Sequence, residues 1–78
     1  MAKKTFLVES DFAALAKKAR IAAGKRKVQV ARELGVSPAA VYNAEEKPEL
    51  PLHKLRIRMI EAYSNQEVVG PVYYVRKK

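Results

Sequence analysis

Cysteine and tryptophan are absent from the 78-residue sequence, glycine occurs three times, and His53 is the single histidine. Without cysteine the chain forms neither a disulfide nor a thiolate metal site, and one histidine makes no zinc-binding cluster. A chain of this length buries only about 60% of the surface exposed when it is unfolded. We therefore expect a single domain over residues 1–78, without metal or cofactor, that depends on helix packing or dimerisation for stability.

The usual equipment of an enzyme is missing as well. The sequence offers no nucleophile with a matching base, no paired carboxylates and no glycine-rich phosphate loop, so we do not expect an enzyme. No apolar run approaches the roughly 20 residues of a membrane helix, and the apolar stretch 5–8 is too short for a secretion signal. The sequence therefore predicts a cytoplasmic protein that does not enter the membrane.

Positive charge is the most prominent feature of the composition. Sixteen lysines and arginines against eight acidic residues give a formal charge of +8 and a pI near 10.0. Such a balance is one sign of nucleic-acid binding, although many small proteins are basic for solubility alone. The charge favours a polyanionic partner, and a structural motif is needed to distinguish nucleic-acid binding from mere solubility.

Residues 27–46, KVQVARELGVSPAAVYNAEE, have the pattern of two short helices joined by a tight turn. Val28, Ala31 and Leu34 are spaced to form one buried helix face. Gly35 directly after them can adopt the positive φ that a helix C-terminus followed by a sharp turn requires.

The second helix of this stretch begins with Ser37 as N-cap and Pro38 at its first position, where no backbone donor is lost. Val41 and Ala44, three residues apart, are predicted to face the first helix. The remaining positions then lie on the outward face: Ala39, Tyr42, Asn43 and Glu46.

Two further helices and two strands complete the predicted fold. Helix 1 is expected from about Asp11 to Ala23 with Ser10 as N-cap, and helix 4 over Leu52–Ser64. Residues 4–8 are predicted to form a short strand, and residues 68–76 a strand interrupted by Gly70 and Pro71. The two terminal strands can pair with each other, or the second can pair with its own copy in a dimer.

In this region the sequence resembles the helix-turn-helix of the lambdoid phage Cro and repressor proteins (the XRE-type family). The resemblance rests on Ala31, the string Leu34-Gly35-Val36, Val41 and their spacing, and it covers about residues 10–64. It implies a mostly α, four-helix lambda-repressor-like domain with short N-terminal and C-terminal strands. In Cro-like proteins a terminal strand also helps to build the dimer.

The same resemblance implies a structural ion pair. Several family members pair an arginine late in helix 1 with a glutamate late in helix 3, and Arg20 and Glu45 occupy the matching positions. We interpret them as a partly buried pair that specifies the fold rather than as a DNA contact.

The family positions that read bases imply a set of five residues here. Asn43 can bond adenine through two hydrogen bonds, and Ala39 can contact a thymine methyl. Pro38 departs from the glutamine of many relatives, so the operator cannot be inferred by analogy. The predicted base-reading residues are Ser37, Pro38, Ala39, Tyr42 and Asn43.

Predicted phosphate contacts lie around this helix pair, at Arg26, Lys27, Gln29, Lys47 and Lys54. Glu46 is interpreted as an acceptor from cytosine or, with preference, as an outward residue or the partner of a nearby lysine. Solvated helix faces are predicted for Lys17, Lys18, Arg56 and Arg58. Tyr73 and Tyr74 are assigned to core and dimer contacts, and His53 receives no metal or catalytic role.

Three hypotheses follow for function. The first is a homodimeric, sequence-specific repressor that reads a palindromic operator in double-stranded DNA. The second is an antitoxin or other protein-interaction module with secondary DNA binding, motivated by the strand-forming residues 68–75. The third is a recombination directionality or DNA-architectural factor.

Overall fold

A computed structural model of the protein describes residues 7–70 and 73–78. The described chain is mostly helical and ends in a two-stranded antiparallel sheet. In chain order the elements are α1 (Glu9–Ala22), α2 (Lys27–Leu34), α3 (Pro38–Glu46), α4 (His53–Tyr63), β1 (Gln66–Val69) and β2 (Tyr74–Lys77).

The ends of α2 and α3 follow the local signals of the sequence. Gly35 ends α2 with φ of 70° and ψ of 35°, the left-handed conformation that glycine adopts without a steric penalty. The Ser37 hydroxyl accepts a hydrogen bond from the Ala40 backbone N–H at 3.1 Å, and Pro38 is the first residue of α3. The predicted turn and the predicted start of α3 are confirmed.

The start of α1 differs from the prediction. The helix begins at Glu9, with Val8 rather than Ser10 as its N-cap. The Asp11 carboxylate accepts a hydrogen bond from the Val8 backbone N–H at 2.9 Å, and its negative charge suits the positive end of the helix. Because this reciprocal contact needs Asp11 in the third helical position, it places the N-cap two residues before Ser10.

The hydrophobic core lies where α1 and α4 pack against each other and against α2 and α3. Its buried residues are Phe12, Ala16, Val30, Ala31, Val41, Ala44, Leu55, Met59 and Ile60. Val28 is 42% exposed, whereas Val30 and Ala31 are buried, so the buried face of α2 keeps Ala31 from the prediction and includes Val30 in place of Val28. The small side chains of Ala31 and Ala44 allow the short helices to approach closely.

The C-terminal residues form a hairpin, so the prediction of one strand over residues 68–76 is wrong. Strand β1 pairs with β2 in an antiparallel register that places Gln66 opposite Lys77 and Val69 opposite Tyr74. Gly70 follows β1 and Tyr73 precedes β2 as turn residues, and the antiparallel register requires the chain to reverse its direction between the two strands. The residues predicted to form one interrupted strand therefore contribute to two antiparallel strands.

The N-terminal strand predicted for residues 4–8 lies largely outside the described residues. Within them, Leu7 and Val8 belong to no strand, and Val8, which the alternating pattern of the predicted strand places on its buried face, is 64% exposed. The Leu7 backbone N–H donates a hydrogen bond to the Tyr73 carbonyl oxygen at 2.8 Å. This contact ties the beginning of the described chain to the turn of the hairpin.

Arg56 of α4 is fully buried, so its assignment to a solvated helix face is wrong. Its Nε donates to the Ala44 carbonyl oxygen at 2.8 Å, and Nη2 donates to the Lys47 carbonyl oxygen at 2.8 Å. Nη1 contacts the Leu50 carbonyl oxygen at 3.1 Å and Glu9 Oε1 at 2.8 Å. Arg56 thus satisfies carbonyl groups at and beyond the C-terminus of α3, which have no helical partner.

His53, for which the sequence predicts no metal or catalytic role, joins α1, α4 and the hairpin turn. Its Nδ1 lies 2.7 Å from Glu9 Oε2, and its ring packs edge-on against Phe12 and Tyr73 at centroid distances of 5.0 and 4.7 Å. Tyr73 also packs against Phe12 at 5.6 Å. This aromatic cluster anchors the turn of the hairpin to the helical core.

Candidate nucleic-acid interface

The outward face of α3 presents most of the predicted base-reading residues. Tyr42 is 48% exposed, and Asn43 is half-buried beside it. Ser37, Pro38 and Ala39 are exposed at the start of the helix. An α-helix with its side chains is about 10 to 12 Å in diameter, and the major groove of B-DNA is about 12 Å wide, so α3 is of a size to enter it.

Burial of the opposite face of α3 fixes this orientation. Val41 and Ala44 have no exposed surface, and Glu45 is 6% exposed. With a helical period of 3.6 residues, these inward positions force Ala39 and Tyr42 outward. The helix therefore cannot rotate to hide its outward side chains without exposing part of the core.

Basic residues lie near both ends of α3. Exposed Lys47 follows the last residue of α3. The pKa of Glu46, which is lowered mainly by its hydrogen bond to Lys17, is lowered further by the charge of Lys27 at the start of α2. At the other end of α3, Lys54 of α4 lines a shallow groove together with Val36 and Ala40. The predicted phosphate contacts therefore flank the outward face, as a helix lying between two DNA backbones requires.

Arg26 and Gln29 form a capping hydrogen bond at the start of α2. The Gln29 amide oxygen accepts a hydrogen bond from the Arg26 backbone N–H at 2.8 Å and so satisfies a donor at the N-terminus of the helix. The Arg26 side chain is exposed. A phosphate contact from the Gln29 amide group stays a prediction, and any such contact has to coexist with this capping bond.

Arg20 and Glu45 form a buried ion pair that holds α3 against α1. Arg20 Nε and Nη2 donate to Glu45 Oε2 and Oε1 at 2.5 and 3.1 Å, and the two side chains are 10% and 0% exposed. Arg20 Nη1 also donates to the Lys25 carbonyl oxygen at 2.9 Å. This two-pronged geometry uses the planar guanidinium to fix the angle of α3 and the loop between α1 and α2.

A second, exposed ion pair joins the same two helices. Lys17 Nζ lies 2.8 Å from Glu46 Oε2, and the two side chains are 43% and 34% exposed. The hydrogen bond between them, with their charges, raises the pKa of Lys17 and lowers the pKa of Glu46. Lys17 is thus directed toward the end of α3, which corrects its assignment to a merely solvated face and agrees with the lysine partner preferred for Glu46.

This second pair was open to prediction. Lys17 lies one helical turn before Arg20, and Glu46 directly follows Glu45, so a pairing of Arg20 with Glu45 brings the other two side chains close.

Arg58, also assigned to a solvated face, is exposed but donates from Nη2 to the Leu34 carbonyl oxygen at 2.9 Å. It satisfies a carbonyl at the C-terminus of α2, beside the turn that leads to α3.

Other kinds of site receive no support from the described residues. Within residues 7–70 and 73–78, no group of three or more histidine, cysteine or acidic side chains is arranged to hold a metal ion. None of the helices in that part of the chain has both the length and the apolar character needed to cross a membrane.

Comparison with known protein families, with curated proteins and with solved structures finds no significant match to this chain. The candidate interface therefore depends on the residues themselves. Its elements are an outward helix face, basic side chains near both ends of that helix, and two ion pairs that join the helix to α1.

Proposed function

We propose that the protein is a sequence-specific double-stranded DNA-binding regulator in which α2 and α3 act as a helix-turn-helix. The observation that carries this proposal is the outward face of α3, flanked near both ends by Lys27, Lys47 and Lys54 in a chain of net charge +8. Such an arrangement suits insertion of α3 into the major groove, with the basic side chains on the phosphates.

Each outward residue of α3 has a chemistry suited to a base edge. Asn43 can accept from adenine N6 and donate to N7, and Ala39 can pack on a thymine methyl. Tyr42 can place its ring on a methyl group and its hydroxyl near a phosphate. Ser37 and Pro38 lie at the helix start, where the Ser37 hydroxyl already caps the backbone and Pro38 offers only apolar contact.

We further propose that two copies bind together as a repressor. One helix reads few base pairs, whereas two recognition helices about 34 Å apart read half-sites one helical turn apart on a palindrome. The hairpin of β1 and β2 supplies extended backbone through which two copies can associate. Repression then follows when the bound dimer blocks access of polymerase to the DNA.

The test is selection of bound duplexes from a random pool, with wild type, Asn43→Ala and a control, Asn65→Ala. Asn65 is exposed beyond the end of α4, so its substitution removes the same amide away from α3. We expect a palindromic consensus that loses discrimination at one symmetric position only in Asn43→Ala. Weak, salt-sensitive binding without a consensus would overturn the proposal, because charge alone would then explain it.

A second candidate is a protein-interaction module, such as an antitoxin, with secondary DNA binding. An exposed apolar patch on α1 favours it: Ile21 is 57% exposed and lines a shallow depression with Ala14 and Ala22. A stoichiometric partner complex that survives Tyr42→Ala but is lost in Ile21→Lys would support this alternative. Purification as a homodimer with the selected DNA site would count against it.

A further inference from the structure

A carboxylate stands at the end of α3 where the proposed function calls for positive charge. Glu46 is the last residue of the helix, and its Oε2 lies 2.8 Å from Lys17 Nζ. The hydrogen bond to Lys17 and, to a lesser degree, the charge of Lys27 lower the pKa of this carboxylate. Both members of the ion pair are partly exposed and face solvent rather than core. The pair therefore lies at the border of the surface that would meet DNA.

Helix stability does not explain an acidic residue at this position. The C-terminus of a helix carries a partial negative charge, so a carboxylate there is unfavourable and a cation favourable. The buried pair of Arg20 and Glu45 already fixes α3 to α1. Since exposed ion pairs contribute little to stability, we expect Glu46 to affect the binding of a ligand more than the free energy of unfolding.

We infer that Glu46 competes with DNA phosphate for Lys17 and thereby limits the affinity of the protein for duplex DNA. This inference rests on the proposed function, because it concerns the same surface. While Lys17 is bound to Glu46, the carboxylate occupies one of the three donors of the ammonium and neutralises its charge, which weakens its attraction to a phosphate, and the carboxylate repels the DNA backbone beside it. Phosphates carry no sequence information, so the limit applies equally to all duplexes and shortens retention on random DNA.

The experiment measures the affinity of wild type, Glu46→Gln and Glu67→Gln for a labelled random-sequence duplex by fluorescence anisotropy over a range of salt concentrations. Glu67 is the matched control, because it is an acidic residue paired with Arg76 in the hairpin and its substitution changes the net charge equally. We expect Glu46→Gln to bind roughly two- to fivefold more tightly, the equivalent of one exposed ion pair. Its salt dependence should steepen by about 0.9 in log-log slope, as for one additional phosphate contact. Glu67→Gln should show a smaller gain.

Lys17→Met, in the wild-type and Glu46→Gln backgrounds, tests whether Lys17 is the cation that becomes available. Most of the gain should disappear when Lys17 is absent. An equal gain from Glu67→Gln, a gain that survives Lys17→Met in full, or a loss of affinity in Glu46→Gln would each overturn the inference. The last result would mean that Glu46 makes a favourable contact, such as one with cytosine.

The failure of this inference is distinguishable from that of the proposed function. A wild type that selects a consensus while Glu46→Gln gains nothing overturns the competition alone. A wild type that binds no duplex even at low salt overturns the DNA-binding function and this inference with it.

Discussion

The pair α2 and α3 and the region of α4 with the hairpin are stabilised in different ways. In the first, residues adjacent in sequence set the element ends: Gly35 stops α2, and Ser37 starts α3. In the second, contacts between residues far apart in sequence dominate, with Arg56 reaching Ala44 and Glu9. Local signals define the candidate recognition helix, whereas a buried arginine from α4 holds its far end in place.

Substitution of Arg56 should reduce the free energy of unfolding more than any other substitution discussed below. Arg56→Met leaves the Ala44 carbonyl oxygen without a donor and removes the guanidinium from the Lys47 and Leu50 carbonyl oxygens, which keep the backbone N–H groups of Leu50 and Leu52. Hydrogen bonds to a charged group contribute about 1.5 to 3 kcal/mol each. We expect a loss of about 4 kcal/mol or more in the free energy of unfolding, measured by urea denaturation.

Two controls define the role of the guanidinium. Arg56→Lys should also be strongly destabilising, because a compact ammonium cannot span acceptors arranged for a planar fork. Arg58→Met removes one exposed hydrogen bond and should change the urea midpoint little. If Arg56→Lys were as stable as wild type, the stabilising effect of Arg56 would come from its positive charge and not from the hydrogen bonds of its guanidinium to four acceptors.

Substitution of Glu45 should have the next largest effect. Glu45→Ala leaves the buried Arg20 without its carboxylate, although the Lys25 carbonyl oxygen remains as an acceptor. We expect a loss of about 3 kcal/mol, measured by urea denaturation. The neighbouring substitution Glu46→Ala, in an exposed pair, should leave the midpoint unchanged, and equal effects at both positions would contradict the distinction between them.

Tyr63 should make the free energy of unfolding decrease as pH rises through the alkaline range. Burial, followed by the hydrogen bond it donates to Glu33, raises the pKa of Tyr63 to about 12 from an ordinary value of 10.0. Between these values the folded state binds the phenolic proton more tightly than the unfolded state, so stability falls as pH rises through this range.

Absorbance of the phenolate during an alkaline titration measures this directly. One of the four tyrosines should titrate late in the folded protein, and the late component should vanish in Tyr63→Phe. The extra loss of stability above pH 10.0 should vanish in the same variant. A late component that persists in Tyr63→Phe would assign it to another tyrosine.

The smallest effect is expected at the ion pair of Glu67 and Arg76 in the hairpin. The Arg76 side chain is 60% exposed, so solvent and salt screen the pair. Glu67→Gln should leave the urea midpoint unchanged at physiological salt. A marked destabilisation would show that the hairpin depends on this cross-strand pair rather than on its contacts with α4 and the aromatic cluster.

Sequence reasoning succeeded where a residue and its consequence are close together. The period of 3.6 residues places Val41 and Ala44 inward, and Ala39 and Tyr42 outward as a result. The turn at Gly35 likewise depends on one backbone angle. The outward orientation of α3 was therefore predictable, while its contact with DNA stays a prediction.

Long-range polar contacts were harder to infer. Arg56 shares the buried stripe of α4 with Leu55, Met59 and Ile60, so its periodicity is a signal of burial. No spacing rule, however, says that the Ala44 carbonyl oxygen lacks a helical donor or that a side chain of α4 reaches the loop after α3. The hairpin was missed for a related reason, because the pairing of two short strands depends on the reversal between them.

The most direct test of DNA binding through α3 is a titration of isotope-labelled protein with duplex DNA, followed by the chemical shifts of its backbone amides. Binding of DNA by α3 predicts the largest changes over residues 37–43, with further changes near Lys27, Lys47 and Lys54, and small changes over the hairpin strands. Changes concentrated on the hairpin or around Ile21, with α3 unaffected, would contradict it.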